Sequence, residues 1–195
     1  MGNNEPILLV SGLPRSGTSM MMRMLSEGGV PAFTDNRRVA DKDNPGGYFE
    51  LEKVKSLGED SGWIEDAAGK ATKIVSMLLP KLPNAHRYKI IFLRRDLEEI
   101  LMSQKKMLER SGKVVSDQEQ NDLRTYFSYH LKNTIEWLTD TSYIDVLFVN
   151  YKDVLQEPVR VARSIADFVG TEMNIEAMVS VVDSSLYRQR AVDAE

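Results

Sequence analysis

An α/β architecture, a central and mostly parallel sheet with helices on both faces, is what this sequence predicts, and three observations carry it. Short apolar runs at 7–10, 88–93 and 146–149 have the length and bounding turn residues of buried strands. Segments of helical periodicity alternate with them, which favours parallel over antiparallel pairing. No internal repeat or low-complexity tract breaks the alternation.

The elements follow in order. A strand over 6–11 is set by Ile7 to Val10, and a helix over 17–28 by Met20, Met24 and Leu25, which recur on one face. An irregular stretch, 29–49, is rich in Gly, Pro, Asp and Asn; loops this long in compact domains usually serve a function or lack order, and it is assigned to one wall of a cleft. A short helix is expected over 50–58, a strand near 71–76, a helix over 77–82 and a strand over 88–94 that stops at Arg94 and Arg95. Asp96 is a suitable N-cap for a helix over 96–110. After a polar loop at 111–116 come a long helix over 117–139, a strand over 144–150, and helices to about 182. The first of these is started by Pro158, turns Val161, Ile165 and Phe168 inward, and is capped by Gly170.

Composition bounds the function. At 195 residues and 42% hydrophobic the chain can bury one full core, so 1–195 reads as a single domain. A net charge of −4 gives no support for a nucleic-acid partner or a membrane surface, and the basic residues are expected to gather in one cleft. Without cysteine there is no disulfide, thiolate nucleophile or cysteine metal site, and the two histidines, His86 and His130, belong to no metal-spaced cluster. The N-terminus has no charged segment followed by a long apolar one, so a cytoplasmic protein is expected.

Chemistry concentrates in ILLVSGLPRSGTSMMMRML, residues 7–25. A strand, a glycine-bounded loop and a helix start aim backbone N–H groups and the positive helix end at one point, which suits phosphate or sulfate. Against the nucleotide-hydrolase pattern G-x-x-x-x-G-K followed by Ser or Thr, Gly12, Gly17 and Ser19 match, but Thr18 stands in the lysine position. The cation is supplied instead by Arg15, inside the loop Pro14-Arg15-Ser16-Gly17-Thr18-Ser19. A small-molecule kinase would need that lysine and a strand ending in an acidic residue to hold magnesium, whereas the strands here end in Arg94 and Asn150.

PRSGTS after a strand resembles the 5′-phosphosulfate loop of the sulfotransferase family, whose donor is 3′-phosphoadenosine 5′-phosphosulfate (PAPS). Cytosolic members carry Lys where this chain has Arg15, and Golgi tyrosylprotein members carry PRSGTT. The family's second signature is an Arg ending a strand and a Ser eight residues later, both on the donor's 3′-phosphate; Arg95 and Ser103 keep that spacing in YKIIFLRRDLEEILMSQKKML. A third segment, with Tyr151, Asp153, Phe168 and Gly170, resembles a structural part of the family. The chain departs from cytosolic members at Met20, where they carry Trp, and at Leu97, where Pro is common; Trp63 is too remote in sequence to stand for that Trp.

What the resemblance implies is sulfuryl transfer from PAPS to a hydroxyl or amine, releasing adenosine 3′,5′-bisphosphate (PAP), without a metal. It assigns the loop residues, Arg95, Ser103 and Arg188 in the tail SLYRQR to the nucleotide, and Arg15 to the departing phosphate oxygen. For the base, Glu50 is the first candidate, because DNPGGYFE resembles a block of bacterial relatives, and Asp43 the second. Lys70, or its neighbour Lys73, is expected near the transferring sulfate. The alternatives are a P-loop phosphotransferase and a non-catalytic PAP-binding protein. The small size suits either a compact acceptor or a homodimer that completes the pocket.

Overall fold

A computed structural model describes residues 5–35, 37–38, 41, 44 and 46–183. Four strands, β1 (Ile7–Gly12), β2 (Ala71–Lys73), β3 (Tyr88–Arg94) and β4 (Ile144–Asn150), form one sheet in the order β2-β1-β3-β4. Every pairing is parallel, with Val10 opposite both Lys73 and Ile91, and Phe92 opposite Phe148.

Among the described residues six α-helices surround the sheet: α1 (Thr18–Glu27), α2 (Leu97–Arg110), α3 (Asp117–Asp140), α4 (Tyr151–Gln156), α5 (Pro158–Val169) and α6 (Ile175–Ser180). Because side chains alternate across a strand, the continuous apolar runs of β1 and β3 feed two cores at once. Leu8, Val10, Ile91 and Leu93 pack with α1, α5 and α6 on one face. Ile7, Leu9, Ile90 and Phe92 pack on the other against α3 and the segments around Val54, Ile64 and Leu79. Leu13, Ile100, Leu101 and Phe127 seal the carboxyl end of the sheet beneath α2 and α3. Each such side chain, fully buried, contributes roughly 1.5–3 kcal/mol.

Capping follows the sequence. Asp96 accepts from Glu99 N, Ser116 and Glu119 form a capping box on α3, Pro158 opens α5, and Gly170 ends it in the left-handed conformation. Phe168 is only partly buried, unlike Val161 and Ile165. Three differences from the expected elements stand out. The second strand stops at Lys73, because only Ile74 N continues the ladder, to Val10 O, before the chain turns into a 3-10 helix over Ser76–Lys81. The expected helix over 50–58 is the short 3-10 helix Glu52–Ser56, and another, Gly62–Ala67, has no periodic sequence signal but buries Trp63 and Ile64. A helix, α4, precedes the one started by Pro158, directly after β4.

Candidate active site

The sheet order puts β1 next to β3, and the chain leaves their carboxyl ends for opposite sides; such a switch point opens a crevice above the sheet. β1 delivers Gly12 there, where a Cβ would lie 2.5 Å from Ser16 Oγ and 2.7 Å from Leu93 O, so only glycine lets the loop fold back on itself. At Gly17 φ is 102°, and a Cβ would come within 2.5 Å of the Tyr151 ring. The first intrahelical bond of α1 is Met21 N to Gly17 O. The N–H groups of Thr18, Ser19 and Met20 therefore precede the helical ladder and carry the positive helix end.

Arg15 holds a left-handed φ of 71°, unfavourable for a side chain with a Cβ by about 1–2 kcal/mol. Arg95 braces it, Nη1 donating to Arg15 O at 3.1 Å, while Arg15 Nε donates to Ser103 Oγ at 3.0 Å. Arg95 is itself fixed by Glu99, 2.9 Å away, both side chains under one-tenth exposed, and by the Tyr151 ring, whose centroid lies 4.5 Å from its guanidinium carbon. The loop after β1 and the end of β3 are thus one connected unit. Ser16 Oγ is buried against Gly12, with no hydrogen-bond partner among the described residues.

The opposite wall comes from the irregular stretch and from β2. Asn44 Nδ2 donates to Ser19 Oγ at 2.8 Å and to Gly47 O, tying this stretch to the first turn of α1. Lys73, the last residue of β2, donates to Tyr48 O and lies 3.8 Å from Glu50, which pairs at 2.9 Å with Arg38. The Arg38 guanidinium lies 3.4 Å over the Tyr48 ring, whose hydroxyl donates to Asp41.

Burial brings the Lys73 ammonium down from 10.5 to about 8; the Arg38 charge acts in the same direction and Glu50 against it. Below pH 8 both folded and unfolded chains hold the proton and the burial penalty is complete. Between about 8 and 10.5 the unfolded chain binds more protons, so stability from this group rises with pH. Lys73→Met is accordingly expected to be more stable than the parent at pH 7, by up to about 3 kcal/mol, with the advantage shrinking toward pH 10. Denaturant unfolding of both proteins at the two pH values checks this, and a pH-independent difference would contradict it.

Pro14, Arg15, Gly17, Thr18, Ser19, Glu50, Arg95 and Ser103 all line one cavity of about 330 Å³, with Ser16 buried behind its wall. Lys70 does not line it. It donates to Asp66 O and lies over the Phe33 ring. Register gives the reason: Lys73 is level with Val10, near the carboxyl ends, whereas Lys70 precedes the strand, about 10 Å lower at 3.3 Å per residue. Ser103 Oγ accepts from Arg15 Nε, so the loop after β1 and the first turns of α2 adjoin.

Asp43 and Arg188 lie outside the described residues. His86 packs against Tyr88, and His130 lies 2.9 Å from Ser76 Oγ and 3.3 Å from Thr134 Oγ1, burial pushing its pKa down; neither lines the cavity. Trp63 is a core residue facing Phe33. Among the described residues no group of His, Cys, Asp or Glu could hold a metal ion, and no helix is long and apolar enough to cross a membrane.

Sequence reasoning missed Arg23, Arg38, Gln104, Lys106 and Arg110 in the lining. A signal existed for three of them. Arg23 follows Ser19 by four residues, and Lys106 and Arg110 follow Ser103 by three and seven, the helical spacing that keeps side chains on one face.

A family model described as the sulfotransferase domain matches residues 5–190. Among solved structures, sulfotransferase STF9 from Mycobacterium avium is similar with a TM-score of 0.57 and 12% identity, over 97% of this chain and 70% of that one. The sulfotransferase from Alicyclobacillus acidocaldarius matches with a TM-score of 0.51 and 14% identity, over 94% of this chain and 99% of that one. The sulfotransferase domain from the curacin biosynthetic pathway gives 0.52 and 11%, over 94% and 80%. A comparison with curated proteins found no sequence match. At these identities the solved structures speak for the fold, and the match over 5–190 for the family: the chain belongs to the sulfotransferase-domain family.

Proposed function

We propose that this chain transfers the sulfuryl group of PAPS to a hydroxyl or amine acceptor and releases PAP. The single observation that supports it most is that the loop after β1 and Arg95 at the end of β3 open onto the same cavity, close enough for one nucleotide to touch both. The α1 amides with Thr18 and Ser19 hold the 5′-phosphosulfate. Arg15 meets the charge that grows on the phosphate oxygen as its bond to sulfur breaks. Arg95 and Ser103 take the 3′-phosphate. The acceptor oxygen or nitrogen forms the new bond to sulfur and gives its proton to the Glu50 carboxylate, beside the Lys73 ammonium.

Thermal shift with PAP, ATP and GTP, each with and without magnesium, tests the donor. PAP at a hundred times its Kd is expected to stabilise the protein by about 2.7 kcal/mol, with no need of magnesium. A shift only by ATP with magnesium would favour a phosphotransferase. Turnover on an acceptor panel then separates enzyme from non-catalytic binder. Glu50→Gln is expected to lose about 10²-fold or more in kcat while keeping the PAP shift; an undiminished rate removes Glu50 from the chemistry.

A further inference from the structure

We propose that the acceptor is itself an anion, carrying a carboxylate or an equivalent acidic group beside the hydroxyl or amine that is sulfated, and that Arg23 and Arg38 recognise it. This rests on the PAPS-donor reading above and extends it to the other half of the cavity.

Charge is the first support. The whole chain is at −4, yet the cavity is lined by seven cationic side chains and two carboxylates. PAPS brings about four negative charges, two on the 3′-phosphate and one on each acid of the phosphosulfate. On the α2 side of the cavity four cations face that donor, Arg15, Arg95 paired with Glu99, and Lys106 and Arg110 beyond Ser103, with the second carboxylate, Asp183, near Tyr151. The other side holds Arg23, Arg38 and Lys73 against the one carboxylate of Glu50. Two net positive charges therefore stand locally where the acceptor would enter, in a site partly shielded from water, where like charges repel more strongly.

Position is the second. Arg23 is one turn beyond Ser19 on α1, its Nη1 3.6 Å from where a Cβ on Gly46 would stand, and it has no ion pair or hydrogen bond among the described residues. Arg38 is spread flat on Tyr48, an arrangement that orients its planar fork, and its side chain stays 46% exposed. Two guanidinium groups at the mouth, one unpaired and one oriented, suit a planar carboxylate better than a hydroxyl. Neither belongs to the loop or to α2.

The test uses the full chain loaded with PAP, titrated calorimetrically with matched pairs that differ in one charge: 4-hydroxybenzoate and its methyl ester, glucuronate and glucose. PAP affinity is measured first; its absence sinks the donor reading and this inference with it. With PAP bound, the acid of at least one pair is expected to bind about 10-fold or more tightly than its neutral partner. The preference should weaken at high salt. It should also fall below about 3-fold in Arg23→Gln/Arg38→Gln, whose PAP affinity serves as the control for folding. If no pair prefers the acid, or the preference survives in the double variant, the inference is overturned while the donor reading stands.

Discussion

Arg95→Met is expected to lower stability by about 3–5 kcal/mol and to remove most of the affinity for PAP, and these two losses have separate causes. The first arises because Glu99, with a side chain only 5% exposed, is left as a buried charge with its 2.9 Å partner gone. The second arises because the same guanidinium also braces the loop through Arg15 O and faces the proposed 3′-phosphate position. Arg95→Met/Glu99→Leu separates them. Replacing both partners with apolar groups should return most of the stability, since a buried ion pair offsets little more than its own desolvation. PAP binding should stay lost. Denaturant melts and PAP titrations on the two variants check this; recovery of PAP affinity in the double variant would show that Arg95 acts on the loop only through Glu99.

Arg15→Ala is the second large effect. If Arg15 meets charge that develops as the sulfur–oxygen bond breaks, its removal should lower kcat by roughly 10²–10³-fold. PAP affinity should change much less, because the α1 amides and Arg95 remain. A loss confined to the KM for donor, with kcat unchanged, would mean that Arg15 binds ground state and transition state alike. Arg15→Lys is the informative companion, since it keeps the charge but gives up the planar donor set that reaches Ser103.

The parts of this molecule legible in its sequence are those encoded by local pattern. β1, β3 and β4 are apolar runs, α1, α2 and α5 have caps or periodicity, and the two donor signatures are short and contiguous. The rest depends on contacts between distant segments. The irregular stretch reads as a wall of the cleft and Glu50 and Lys73 as candidates, but nothing in the spacing announces the contacts that join Arg38, Tyr48, Glu50 and Lys73. Phe49 takes a left-handed φ of 51°, which no local preference of phenylalanine predicts. Lys70 and Lys73 are indistinguishable as sequence, and only the pairing of Val10 with Lys73 separates them. The 3-10 helices are invisible for a related reason: segments of five or six residues are too short for a period to register.

β2 is a three-residue strand at the sheet margin, joined to the interior through one neighbour. The proposed nucleotide contacts are rooted in the two inner strands, whose side chains feed both cores, while the opposing wall joins the buried β2 to the half-exposed Arg38 and Glu50. A substitution in the inner strands is therefore expected to disturb both faces of the sheet, whereas one at the half-exposed Arg38 or Glu50 leaves both cores intact.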